Sequence, residues 1–166
     1  MAQASFLPAD TALEKMPPQI GDHLAWPSWE DESGPVKSSS IEINAEPTLV
    51  YPMDSDSGVL REGSRLNQIL LMRFEPEELE APLREAAPDG LVAYSGLCTH
   101  AACGVSEWHA DDAHLVCPCH ASMFAPKRDA VVVGGPATRR LPRLPIAVQD
   151  DFVIVSGDFL ATVGAP

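Results

Sequence analysis

The sequence predicts an all-β fold, a small antiparallel sandwich or barrel. From residue 41 the chain becomes strand-like, in short β-rich runs set apart by Gly, Pro, Asp and Asn. Helical patterning is confined to 76–87, where Pro82 restricts it to one or two short turns. Turn signals fall at the spacing of a many-stranded antiparallel sheet, with no internal repeat.

Taken in chain order, residues 1–40 read as an extended, Pro-rich segment. Pro8, Pro17, Pro18, Pro27 and Pro35 punctuate it, and K-S-S-S at 37–40 looks like the end of a linker. Trp26 and Trp29 are unusual there, because an exposed indole wastes burial: either they pin the segment onto the domain, the favoured reading, or they contact another subunit. The expected strands follow: S-I-E-I-N (40–44), T-L-V-Y (48–51), N-Q-I-L-L-M-R-F (67–74) and G-L-V-A-Y-S (90–95). After these come A-H-L-V-C (113–117), D-A-V-V-V (129–133), L-P-I-A-V-Q (144–149) and D-F-V-I-V-S-G (151–157). The expected division is therefore 1–40 as an irregular extension and 41–166 as one β domain.

Charge excludes some partners. The 166 residues carry a formal net charge of −13, which argues against nucleic acid and anionic membrane surfaces. The acidity is uneven: residues 1–90 hold 17 Asp and Glu against 6 Lys and Arg, and residues 91–166 hold 7 against 5. Lys127, Arg128, Arg139, Arg140 and Arg143 form a small basic group, either a solvated surface or a docking patch. No apolar run approaches the ~20 residues of a membrane span. The first residues lack a basic start followed by an apolar stretch, so no signal peptide is expected.

The chemistry is concentrated in two segments, G-L-C-T-H-A-A-C-G (96–104) and L-V-C-P-C-H-A-S-M-F (115–124), which hold all four cysteines. Each presents a cysteine followed closely by a histidine, Cys98 with His100 and Cys117 with His120. Two such arms on adjacent β-loops can converge on one metal centre with two thiolates and two imidazoles. A Cys2His2 zinc site is one candidate, but its usual spacing keeps the cysteines together and the histidines together, and a closed tetrahedral site has no use for Cys103 and Cys119. A dinuclear iron–sulfur centre uses the mixture, with thiolates on one iron and imidazoles on the other. The two further cysteines could then cross-link the loops. A thioredoxin-type redox pair fits poorly, because Cys117-Pro-Cys119 is one residue short of Cys-x-x-Cys and no βαβ frame surrounds it.

These segments resemble the two boxes of Rieske [2Fe–2S] proteins, C-T-H-x-G-C and C-P-C-H-G-S, over roughly residues 90–160. The second cysteine in each box is similar to the high-potential, disulfide-bearing branch, which includes the Rieske subunits of cytochrome bc complexes and the small subunit of arsenite oxidase. The resemblance implies a Rieske-type antiparallel β fold with an inserted cluster-binding subdomain at about 96–140. It implies a [2Fe–2S] cofactor with Cys98 and Cys117 on the inner iron and His100 and His120 on the outer, and a Cys103–Cys119 disulfide. Ser122 matches the serine whose hydroxyl donates to a bridging sulfide. Gly135, Pro136 and Ala137, within V-G-G-P-A-T-R-R-L-P-R-L-P-I (133–146), match the loop that shields the cluster.

Departures from the family pattern carry expectations of their own. Phe124 stands where high-potential members place a tyrosine that donates to a ligand sulfur, so a lower potential is expected. Ala101 and Ala102 replace a bulkier residue and a glycine in the first box, which suggests a different or flatter partner surface. Ala121, in place of glycine, is expected to take an ordinary backbone conformation. His109 and His114 read as surface histidines. The function implied is one-electron transfer, as a soluble redox subunit or carrier between a donor oxidoreductase or quinol and a c-type cytochrome-like acceptor. A disulfide implies an oxidising compartment, so a periplasmic location is expected. The alternative is a zinc-stabilised interaction module without redox activity.

Overall fold

The structure, a computed structural model, describes residues 8–166. Residues 1–7 of the expected extended segment lie outside the described residues. The rest of that segment is more regular than its prolines suggest. Pro8–Lys15 forms helix α1, with Pro8 in the first turn, where a missing N–H costs no helical hydrogen bond. His23–Ala25 forms strand β1, paired with its neighbours on both sides.

Strands β2 (Thr48–Met53), β3 (Ile69–Arg73) and β4 (Leu91–Ser95) follow, with the short helix α2 (Ala81–Ala86) between the last two. Pro82 lies in the first turn of α2 and so does not break it. Then come β5 (Glu107–His109), β6 (His114–Val116), β7 (Met123–Ala125), β8 (Val131–Gly134), β9 (Ile146–Gln149) and β10 (Phe152–Val155). Two antiparallel sheets result. One has six strands in the order β4-β3-β2-β1-β10-β9, and the other is the meander β5-β6-β7-β8. The larger sheet curls until the free edge of β4 meets the segment before β9: Ser95 N–H donates to Pro142 and Leu144 N–H donates to Ala93. This all-β architecture is the class that the sequence predicts. No described helix is long and apolar enough to cross a membrane.

Strands β3 and β4 are buried along their whole length, which explains why they read as unbroken apolar runs. Alternate residues serve two cores. Ile69, Leu71, Leu91 and Ala93 join Leu24, Val50, Ile146 and Val153 within the six-stranded sheet. Leu70, Met72, Val92 and Tyr94 face the meander and pack with Leu115, Phe124, Leu141, Cys98 and Cys117. The shared wall therefore joins the barrel-like core to the loops that hold the cysteines.

Two local readings are corrected. The expected strand at 40–44 does not form. Arg73 takes the carbonyls of Ser38 and Ile41 with its guanidinium, and Asn44 turns the chain at φ 61°, leaving one parallel bridge from Ile43 to Arg73. Strands β1, β5 and β7 were not expected, because each has only three residues, too few for a period-two pattern to show. Of the two tryptophans, Trp26 packs against the barrel core, whereas Trp29 is 61% exposed and touches Tyr51 edge to face.

A buried ionic group fastens the early chain to the sheet. Arg61 and Asp22 form a two-pronged pair at 2.7 and 3.1 Å, and Arg61 also donates to Asp54 at 3.0 Å and to the Leu13 carbonyl at 3.0 Å. The bond to Asp22 is the main reason the guanidinium is held above its ordinary pKa, against the opposing effect of burial.

Candidate metal centre

The two Cys–His segments leave the ends of strands as loops of one design. The first follows β4, and the second joins β6 to β7. In the first, Ala102 N–H donates to the Cys98 carbonyl at 2.9 Å, and Cys98 N–H donates to the Cys103 carbonyl at 2.8 Å. In the second, Ala121 N–H donates to the Cys117 carbonyl at 2.9 Å, and Cys117 N–H donates to the Ser122 carbonyl at 2.9 Å. Closing each loop requires a left-handed residue at the same step, and Ala102 (φ 59°) and Ala121 (φ 60°) supply it. The expectation that Ala121 adopts an ordinary conformation is thus overturned: the paired hydrogen bonds fix the backbone, and the side chain bears the strain.

This design brings the Cys and His side chains of interest together in pairs, thiol with thiol and imidazole with imidazole. Cys98 and Cys117 are free thiols, each 1% exposed and in the same core. The His100 and His120 rings meet edge to face, with centroids 4.7 Å apart and planes at 85°. Cys103 and Cys119 are joined in a disulfide that links the loops, with Cα atoms 6.4 Å apart. The sulfurs of Cys103, Cys117 and Cys119 lie within 4.8 Å of one another, and only that of Cys117 is a free thiol.

The protein by itself disfavours a thiolate at Cys117. Burial, together with a hydrogen bond and repulsion from Cys98, pushes the Cys117 thiol up, while the N–H groups of Cys119 and His120 pull it down. His100 N–H points at the Cys98 sulfur at 3.5 Å. The Nδ1 atom of His100 is buried and has no hydrogen-bond partner within the protein. A buried, unsatisfied imidazole nitrogen is costly unless something coordinates it. Two buried thiols and two adjacent imidazoles, one of them with this unpartnered nitrogen, fit a [2Fe–2S] group of mixed ligation.

A third loop, after β8, closes over the other two. Gly135 has φ 77°, and a Cβ there would lie 2.5 Å from the Ala121 carbonyl oxygen and 2.5 Å from the Ser122 Cα, so only glycine fits against that backbone. Gly135 and Pro136 are exposed, and Ala137 is buried. Ala137 N–H donates to the Ser122 Oγ at 3.1 Å, which leaves the hydroxyl hydrogen free to donate elsewhere. Thr99, which is 2% exposed, donates its hydroxyl to the Arg139 carbonyl at 2.6 Å. Thr99 was missed in the sequence. A threonine between two ligand-type residues signals a polar group that must be satisfied, but not by which residue.

The remaining expected residues fall as follows. Phe124 is fully buried in the core shared with Cys98 and Cys117. His109 is exposed, and His114, paired across from it on the β5–β6 hairpin, is half-buried. The basic group is engaged internally: Arg140 and Arg143 with Asp129, Lys127 with Glu78, Arg128 with Glu80, and Arg139 with the Thr162 and Gly164 carbonyls.

A family model, the Rieske [2Fe-2S] domain, matches residues 37–145, more than half of the chain. The chain belongs to the Rieske family. A putative respiratory nitrate reductase Rieske subunit of Haloferax mediterranei is 44% identical over 97 residues, covering 58% of this chain and 43% of that protein. The cytochrome bc1 complex Rieske iron–sulfur subunit of Streptomyces lividans is 38% identical over 98 residues, covering 58% of each chain. This Rieske chain thus spans about half the length of these curated relatives. Among solved structures, the soluble domain of Rieske protein II from Sulfolobus acidocaldarius matches at 23% identity and TM-score 0.43, covering 58% of this chain and 66% of that one.

Proposed function

We propose that this Rieske chain is a one-electron carrier that passes electrons from a donor oxidoreductase or quinol to a c-type cytochrome-like acceptor. The observation that carries the reading is the pairing of the loops. Each contributes one buried free cysteine and one histidine, and the other two cysteines are tied up in the bridge between them. In this reading Cys98 and Cys117 hold the inner iron, and His100 and His120 hold the outer. The bound [2Fe–2S] cluster supplies reversible one-electron chemistry, at a potential raised by its two neutral ligands.

The chain's own residues tune and protect that chemistry. Backbone N–H groups of His100, Cys119 and His120 stabilise negative charge on the two sulfurs. Ser122 offers a hydroxyl hydrogen, and the loop at 135–137 excludes water from one side. The exposed His120 gives a short path for the electron to a docked partner. The names borne by the relatives, a respiratory nitrate reductase subunit and a bc1-complex subunit, support a place in a respiratory assembly. The disulfide supports an oxidising, periplasmic compartment.

Iron and acid-labile sulfide analysis, with EPR of the reduced protein, tests the reading. Two irons, two sulfides and the low-average-g signal of histidine ligation are expected. A colourless, zinc-loaded protein would overturn it in favour of an interaction module.

A further inference from the structure

The guanidinium of Arg139 forks onto two carbonyls of the C-terminal segment, Thr162 at 3.2 Å and Gly164 at 2.8 Å. The same residue's carbonyl accepts from Thr99, inside the first Cys–His loop. Gly164 is buried, has φ 84°, and sits where a Cβ would lie 3.7 Å from the Ala102 Cβ and 4.0 Å from a Leu66 methyl. Arg65 closes the other side by donating to the Ala102 carbonyl at 2.9 Å. Upstream, Leu160 N–H is bonded to the Arg143 carbonyl at 3.0 Å. The segment 160–164 therefore runs back along the shielding loop and ends against the outer flank of the first loop.

We propose that residues 160–164 form a strap, latched by the Arg139 guanidinium, that holds the first Cys–His loop and the shielding loop in register around the metal centre. Arg139 is a positioning residue: it acts through Thr99 on one side and through Gly164 and Ala102 on the other. The fork matters more than the charge. A planar guanidinium reaches both carbonyls at once, which a lysine ammonium on its flexible stem does not do in one fixed geometry. Because Arg139 lies two residues beyond Ala137, loosening it also loosens the N–H that orients the Ser122 hydroxyl.

The inference rests on the cluster reading of this site, and the test separates the two. Arg139→Lys, Gly164→Ala and the double variant are prepared as full-length protein, with iron content measured first. Gly164→Ala strains a φ of 84° while leaving every charge in place. Each single variant is expected to speed hydrogen exchange at the Ala102 and Ala137 amides by about tenfold, the effect of one lost net hydrogen bond. Amides of β3 and β4 should be unchanged, and the midpoint potential should fall. The double variant should match the singles, because both break one latch. Wild-type exchange and potential in Arg139→Lys, or effects that multiply in the double variant, would overturn the strap. A wild-type protein without iron would overturn the cluster reading instead, and amide exchange would still report on the latch.

Discussion

Ala102 and Ala121 occupy equivalent steps of the two Cys–His loops and share a left-handed backbone, at φ 59° and 60°. Each donates its N–H to the carbonyl of the loop's first cysteine. An L-residue with a Cβ in this region carries a steric penalty of about 1–2 kcal/mol, which glycine escapes. Glycine also loses more entropy on folding, roughly 0.5–1 kcal/mol, so the net gain on substitution is smaller. Ala102→Gly and Ala121→Gly are each expected to raise stability by about 0.5–1 kcal/mol, measured as a higher denaturant midpoint with an unchanged slope. A loss of stability in both would show that these loops do not hold the left-handed conformation.

The buried pair of Arg61 and Asp22 gives a second prediction. Their side chains are 2% and 4% exposed, so removing Asp22 leaves a buried guanidinium held only by Asp54 and the Leu13 carbonyl. Asp22→Ala is expected to cost about 1.5–3 kcal/mol, the range of a hydrogen bond to a charged group. An Arg61→Met, Asp22→Leu double variant should recover most of that loss, because it removes both charges. Thermal denaturation of the three proteins checks the order.

These two cases mark what was legible in the sequence. The meeting of the two Cys–His loops was, because the residue types and spacing of Cys98, His100, Cys117 and His120 belong to local stretches of chain. The long strands were also legible, since β3 and β4 divide their side chains between two cores and so read as continuous apolar runs. The left-handed state of Ala121 was not, because it is imposed by a hydrogen bond to Cys117 and contradicts the residue's own preference. The ties from Thr99 to Arg139, 40 residues apart, and from Arg61 to Asp22, 39 apart, are invisible for another reason. They are polar contacts made by tertiary packing, and no periodicity announces them.

Acid stability follows from Asp54. Its carboxylate accepts the N–H groups of Ser57 and Asp56, which hold it below its ordinary value of 3.8. A folded-state pKa below the unfolded one adds stability that is present above the ordinary value and lost as pH falls through the depressed one. Asp54→Asn should therefore flatten the fall in melting temperature below pH 3.8, with the parent and variant curves converging at the acid end. Parallel curves across that window would show that Asp54 titrates alike in both states.

Phe124 decides the last prediction. Its ring is fully buried in the core that contains Cys98 and Cys117, and it cannot donate a hydrogen bond. In the cluster reading, electron density on the ligand sulfurs is lowered by every donor aimed at them, which favours the reduced state and raises the potential. The backbone donors are already in place at His100, Cys119 and His120. Phe124→Tyr adds one hydroxyl to a packed site, where an unsatisfied O–H costs about 1–3 kcal/mol. The hydroxyl is thus driven toward an acceptor, and the sulfurs of Cys98 and Cys117, in the same core, are the acceptors that this prediction names. A higher midpoint potential at unchanged iron content is the expected outcome in voltammetry. A potential equal to or below that of the parent would mean that the hydroxyl is satisfied elsewhere, and that the aromatic at 124 does not set this protein's potential.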